Sequence, residues 1–125
     1  MKVVFRVDAS LAIGIGHVMR CLTLAQMLKE NGANVEFICR KHEGSLIGKI
    51  FLSGFNVHEL EAFEVIGLDN KLTHSHWLGV TQQQDSDDCI DILKAKKIDW
   101  LIVDHYSLDE QWQKRLRPYC EKLMV

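Results

Sequence analysis

His17 closes the stretch IGIGH, directly behind Gly14 and Gly16, and Arg6, Asp8 and Ser10 stand just upstream in RVDAS. These residue types can do acid–base chemistry on an anionic substrate. Glycine has no Cβ, so a backbone carrying two of them can turn sharply and approach a bound group closely. A helix that opens at such a turn directs its unpaired N–H groups at an anion, or at charge that develops in a reaction. An imidazole in the first helical turn feels the positive end of the helix dipole, which disfavours imidazolium and leaves a base near neutral pH. The spacing matches neither GxGxxG nor GxxxxGK[ST], so a dinucleotide fingerprint and a Walker loop are both disfavoured. A capping or packing histidine beside a glycine-shaped turn fits the same spacing.

The neighbouring polar residues leave similar alternatives open. Arg6 could be an edge charge of a strand, and Arg20, one turn beyond His17, a solvated helix residue. Asp8 could orient His17, bind a substrate hydroxyl or amide, or make an Asx-turn at a strand end. A second polar cluster, Asp104, His105 and Tyr106, follows the most apolar run of the chain, IDWLIV. It could hydrogen-bond a ligand, or Asp104 could cap the next helix.

Both clusters fall at junctions between elements. Residues Lys2 to Val7 are β-branched and aromatic and read as a buried strand. From His17, the apolar positions Val18, Cys21, Leu22, Ala25 and Leu28 follow i, i+3, i+4, i+7 spacing up to Asn31-Gly32, which predicts a helix of about four turns. Val35 to Cys39 reads as a second strand, Leu46 to Leu52 as a short helix and FNVHEL as a third strand. DSDDCIDILKAKK carries acidic residues at its start and lysines at its end, which complements a helix dipole. IDWLIVDHY is a strand buried on both faces. SLDEQWQKRLRPYCEKL begins with Ser-x-x-Glu capping logic and is mostly helix despite Pro118. KLMV begins to look like another strand, and since a domain seldom ends as a strand opens, the chain is expected to be a fragment of a longer protein. Alternating strands and helices predict a doubly wound parallel α/β sheet, in which ligands bind at the carboxyl ends of the strands.

Composition narrows the function classes. At 125 residues, 47% hydrophobic and 26% charged, the sequence suits one soluble domain. The net charge of −2 argues against a nucleic-acid binder. Residues 1–50 hold seven Lys/Arg against four Asp/Glu and the remainder eight against thirteen, which mildly favours an anionic ligand near the N-terminus. Apolar runs such as Trp100 to Val103 are far shorter than the ~20 residues of a membrane span, and no signal-peptide pattern precedes VVFRVD, so a cytoplasmic location is expected. Cys21, Cys39, Cys89 and Cys120 are widely spaced without a CxxC and read as reduced and mostly buried. His74 and His76 lie close together in THSHW but have no Cys or carboxylate nearby, so no metal is expected, and no cofactor is called for.

The segments RVDASLAIGIGHVMRCLTLA, EGSLIG, HWLGVTQQQD and DWLIVDHYSLDEQW, in that order, resemble the N-terminal half of the UDP-sugar hydrolases of pseudaminic acid biosynthesis, the PseG family. IGxGH alone also looks like the glycine-rich start of MurG-type glycosyltransferases. The resemblance implies a GT-B-like protein of two α/β lobes, with residues 1–125 as the Rossmann-like N-terminal lobe and a C-terminal UDP-binding lobe absent from this chain. It also implies metal-independent hydrolysis of UDP-2,4-diacetamido-2,4,6-trideoxy-β-L-altropyranose to UDP and the free sugar, with inversion at the anomeric carbon. By position, His17 would take a proton from the attacking water. Tyr106 would stand in the same site, and Arg6, Asp8, Ser10, Gly14 and Gly16 would line the sugar and pyrophosphate pocket. Two other readings remain: a glycosyltransferase of the same fold, and a non-catalytic module that binds a nucleotide or a partner.

Overall fold

The computed structural model describes residues 1–11, 13–62 and 78–125. Among these residues, strands β1 (Lys2–Val7), β2 (Asn34–Arg40), β3 (Asn56–Leu60), β4 (Trp100–Asp104) and β5 (Lys122–Met124) form one sheet in the order β3-β2-β1-β4-β5. Every neighbouring pair is parallel. Helices α1 (Gly16–Glu30), α2 (Ile47–Leu52), α3 (Gln82–Leu93) and α4 (Glu110–Leu116) lie between the strands in the chain. This is the Rossmann-like, doubly wound sheet that the alternation of elements predicts. β2 and β3 add to one side of β1, whereas β4 and β5 add to the other. The strand order therefore reverses between β1 and β4, and a crevice for a ligand is expected beyond their carboxyl ends.

The period-2 geometry of the strands divides the core into two layers. Val3, Phe5 and Val7 of β1 and Val35, Phe37 and Cys39 of β2 pack against Val18, Cys21, Leu22 and Ala25 of α1 and Ile50 of α2. Phe5 stacks on Phe37 with ring centroids 5.0 Å apart, and Phe55 meets Phe37 edge-on at 5.4 Å. On the opposite face, Val4, Ile38, Leu101 and Val103 pack against Cys89 and Leu93 of α3 and Trp112 and Leu116 of α4. Burying each large side chain of this kind stabilises the fold by roughly 1.5–3 kcal/mol. In β4, Ile102 belongs to the α1 layer and Trp100 packs against it. Asp104 is next in that alternating row, and Val7 pairs with it in the register of β1 and β4.

Three local expectations change. Arg6 is not an edge charge, because β1 is the middle strand and Arg6 is fully buried. Helix α3 starts earlier than its acidic run suggests. Thr81 caps it by accepting a hydrogen bond from the Gln84 N–H at 3.1 Å, and the helix ends at Leu93, which leaves Lys96 and Lys97 beyond it. In α4 the capping residue is Asp109 rather than Ser107, since its carboxylate accepts from the Gln111 N–H at 2.9 Å. The helix stops at Leu116, and a 3₁₀ turn over Arg117–Tyr119 accommodates Pro118.

All four cysteines are free thiols; Cys21, Cys39 and Cys89 are buried and Cys120 is partly so. Among the described residues no helix is long and apolar enough to cross a membrane, and no group of three or more His, Cys, Asp or Glu could hold a metal ion. His74 and His76 lie outside the described residues, as does the start of HWLGVTQQQD.

Candidate active site at the junction of β1 and β4

The carboxyl ends of the paired strands β1 and β4 bring His17 and Asp104 together. His17 is the second residue of α1, Asp104 is the last of β4, and His17 Nδ1 lies 2.7 Å from Asp104 Oδ1. A carboxylate can only accept, so Nδ1 carries a proton, and in the neutral imidazole the lone pair is on Nε2. Arg20, one helical turn further on the same face of α1, grips the same carboxylate. Its Nε donates to Oδ2 and its Nη2 to Oδ1, both at 2.5 Å. The Cys21 thiol adds a contact to Oδ2 at 3.6 Å.

Burial alone would raise the Asp104 carboxyl, but the hydrogen bonds from Arg20 and then His17 outweigh it and hold the group below the ordinary carboxylate range. Burial, reinforced by Asp104, pushes the Cys21 thiol up to about 12, so Cys21 stays protonated and is not a nucleophile. The Tyr106 ring meets the His17 ring edge-on, with centroids 4.8 Å apart and planes at 84°. Tyr106 is well exposed, whereas the side chains of His17 and Asp104 are only 11% and 16% exposed. The arrangement is an imidazole oriented by a carboxylate and flanked on one side by an aromatic ring.

The loop from β1 to α1 presents this histidine. Ser10 Oγ accepts from the Ile13 N–H at 3.0 Å, and the Gly14 N–H donates to the Ser10 carbonyl at 2.8 Å, which closes a tight turn. Gly14 has φ of +82°, a conformation open to glycine but strained for other residues. Gly16 has an ordinary φ, and a Cβ on it would meet nothing within 4 Å among the described residues. No side chain caps α1 at Ile15. The loop after β2 braces the turn, with the Leu11 N–H donating to the Glu43 carbonyl at 2.9 Å.

Beneath the loop is a buried ionic network. Asp8 receives Arg6 Nη1 at 2.7 Å, Arg6 Nη2 at 3.0 Å and the backbone N–H of Arg40 at 2.7 Å. Two histidines join the set: the Ser107 N–H donates to His105 Nδ1, so His105 Nε2 carries the proton and donates to Asp8 at 2.9 Å, and His42 Nε2 lies 3.4 Å from the same carboxylate. Asp85 of α3 binds Arg6 Nη2 at 2.5 Å and Arg40 Nη2 at 2.6 Å, and accepts from the Trp112 indole at 2.9 Å. Burial opposes the charge on Asp8, but Arg6, His105 and His42 outweigh it and hold the carboxyl well below its usual range. The network ties β1, β2, α3, α4 and the loop after β4 together.

Of the residues singled out in the sequence, the structure brings His17 and Tyr106 into contact beyond the end of β4 and sets Ser10, Gly14 and Gly16 in the loop that leads into α1. Arg6 and Asp8 sit one layer down, at 0% and 1% exposure, and Asp8 contacts His105 rather than His17. Asp104 was legible only as a ligand or cap residue, yet it is the partner of His17. The signal that finds it is strand alternation. Trp100 and Ile102 face α1, so Asp104 must face it too, and a doubly wound sheet sets β4 beside β1.

No family model matches the chain. It is 32% identical over 117 residues to the UDP-2,4-diacetamido-2,4,6-trideoxy-beta-L-altropyranose hydrolase of Campylobacter jejuni, a match that covers 94% of this chain and 32% of that protein. It is also 27% identical over 124 residues to an uncharacterized protein of Methanocaldococcus jannaschii, covering 99% of this chain and 21% of the relative. The chain thus spans at most about a third of the length of these relatives, and its similarity to a UDP-sugar hydrolase is distant.

Proposed function

We propose that this chain is the N-terminal, sugar-side lobe of an inverting UDP-sugar hydrolase with a GT-B-like architecture, and that its substrate is UDP-2,4-diacetamido-2,4,6-trideoxy-β-L-altropyranose or a close relative. The observation that carries the reading is the His17–Asp104 pair at the β1–β4 junction, with Nδ1 bound at 2.7 Å and the basic Nε2 left for a substrate water. The distant similarity to a hydrolase of this kind over 94% of the chain supports it.

In this reading His17 Nε2 takes a proton from water as the water oxygen attacks C1. The C1–O bond to the nucleotide breaks with inversion, and UDP leaves as an anion. Asp104 stabilises the imidazolium that forms, as a buried carboxylate does for a catalytic histidine elsewhere. Inverting glycosidases normally use a second carboxyl to protonate a poor leaving group. UDP is a good leaving group, so one base is enough, and the helix start at Gly14–Gly16 faces the developing negative charge. Tyr106 and Ser10 border the sugar. Arg6 and Asp8 act from beneath, by holding the end of β1. No metal and no cofactor enter this scheme, and UDP is held mainly by a second lobe.

The reading is tested by supplying the UDP-sugar to the protein in its full natural length, in water enriched in oxygen-18, and following the products by NMR and mass spectrometry. Label at C1 of the inverted free sugar supports it. Label in the UDP phosphate, retention at C1, or transfer only to an added sugar hydroxyl would refute it. Residues 1–125 alone are expected to release no UDP, because inversion needs groups held on both sides of a cleft.

A further inference from the structure

Arg20 is the charged group at the dyad that the proposed chemistry leaves without a task. Its side chain is 60% exposed, yet it makes both bonds of a fork to Asp104, at 2.5 Å each, and its Nη2 lies 3.2 Å from His17 Nδ1. Exposed ion pairs contribute little to stability, since solvent screens them and long side chains lose freedom in forming them. A fold that only needed surface charge would not fix an arginine in this geometry.

We infer that Arg20 is a positioning residue that locks the Asp104 carboxylate and offsets its charge, so that Asp104 can orient the His17 imidazole without filling Nε2 with a proton at rest. The inference rests on His17 acting as the base. A lone carboxylate beside an imidazole favours imidazolium, which cannot accept a proton. A guanidinium against both the carboxylate and the ring opposes that charge. Among the described residues, the groups that face His17 come from each packed element: Asp104 from β4, Arg20 and the dipole of α1 from its own helix, the Tyr106 ring from the following loop, and the neutral Cys21 thiol behind Asp104. Arg20 is the cation in the set. It also favours return of the proton after turnover, because an imidazolium is repelled by a guanidinium at this distance. Arg20 engages Tyr106 as well, which links the wall of the site to the same residue.

The test compares wild type, Arg20→Gln and Arg20→Lys in the full-length protein, by pH–rate profiles of UDP release and by nitrogen-15 NMR titration of the His17 ring. Arg20→Gln is expected to move both the acid limb of kcat/KM and the NMR midpoint upward, and to lower the plateau rate by less than about tenfold. Arg20→Lys keeps the charge but loses the fork, so it should return the midpoint toward wild type while the plateau stays low. A midpoint that stays put or falls in Arg20→Gln overturns the inference. Should His17→Asn keep full activity, the functional reading fails instead, and the NMR midpoint still decides the electrostatic role of Arg20. Because the residue is exposed, both variants are expected to melt within a few degrees of wild type.

Discussion

His17 and Asp104 are 87 residues apart in the chain and 2.7 Å apart in space, and the parallel pairing of β1 with β4 is what joins them. The helix that carries His17 starts where β1 ends, and Asp104 is the residue of β4 that pairs with Val7. A histidine at a helix start would by itself swing among rotamers. The carboxylate removes that freedom and selects the tautomer that exposes a basic nitrogen.

Replacing His17 by Asn keeps much of the volume and the hydrogen bond to Asp104 but removes the proton acceptor. General-base catalysis is typically worth 10²- to 10⁴-fold, or ~3–5 kcal/mol in the barrier. The loss should fall on kcat, with KM within a few-fold of wild type, and the acid limb of the rate profile should vanish. Steady-state UDP release between pH 5 and 9 checks both. A variant that melts early or loses affinity while its kcat holds would return His17 to a packing role.

Asp104→Asn preserves shape and leaves an amide that can present either face to His17. Where Asn donates its N–H, the ring must turn its lone pair toward it, and Nε2 then carries the proton and cannot act as a base. A loss of kcat of roughly 10- to 10³-fold is expected, smaller than or equal to that of His17→Asn. The double variant should be no slower than His17→Asn alone, because the carboxylate acts only through the imidazole. Additive losses would mean that Asp104 has a separate task.

The sheet was legible because its strands and helices carry distinct patterns: VVF and WLIV are apolar runs, and Val18, Cys21, Leu22 and Ala25 repeat at helical spacing. The topology then decided which loops meet. What escaped reading was pairing between charges. Arg6 near the end of β1 and Asp8 just beyond it lie two apart and meet as an ion pair, but the second carboxylate that binds Arg6, Asp85, sits 79 positions away, in a run that reads equally well as a solvated helix start. Periodicity reports that a position is inside or outside. It does not report that an arginine is inside because two aspartates meet it. Asp104 escaped for the same reason, since an aspartate after a strand is more often a cap, and here the cap is supplied by Asp109.

Arg6→Met tests the buried network. Methionine fills a similar volume but leaves Asp8 and Asp85 without the guanidinium that each of them binds. Removing one partner from a buried ionic cluster typically costs 3–5 kcal/mol, because the remaining charge stays desolvated. Urea denaturation of Arg6→Met should show a loss of that size, whereas the exposed Arg20→Gln should unfold close to wild type. A small loss in Arg6→Met with a large rise in KM would instead make Arg6 a substrate ligand.

Glu36 gives the fold an acid-sensitive point away from the candidate site. On β2, with its side chain 6% exposed, it binds Lys2 Nζ at 2.7 Å, His58 Nε2 at 2.6 Å and Lys96 Nζ at 3.4 Å. Burial opposes its charge, but the hydrogen bonds from Lys2 and His58 prevail and lower its pKa from 4.5 to about 2. A carboxyl whose folded pKa is depressed contributes stability that is fully present above its unfolded value and is lost as pH falls through the folded one. The contribution is therefore complete above pH 4.5 and decays toward pH 2. Glu36→Gln lacks the charge at every pH, so it should be less stable than wild type by about 1–3 kcal/mol at pH 7, a range set below that of a fully buried pair because Lys2 and His58 are partly exposed. Between pH 4.5 and pH 2 the unfolded wild type takes up a proton at Glu36 that the folded protein does not, so the advantage of the charged cluster shrinks and the gap between the two proteins should narrow steadily as the acid limit is approached. Urea midpoints for both proteins between pH 7 and pH 3.5 measure this, with an unchanged m-value as the check that only stability has moved. A gap that stays constant across that range would mean that the cluster acts through packing and not through its charge.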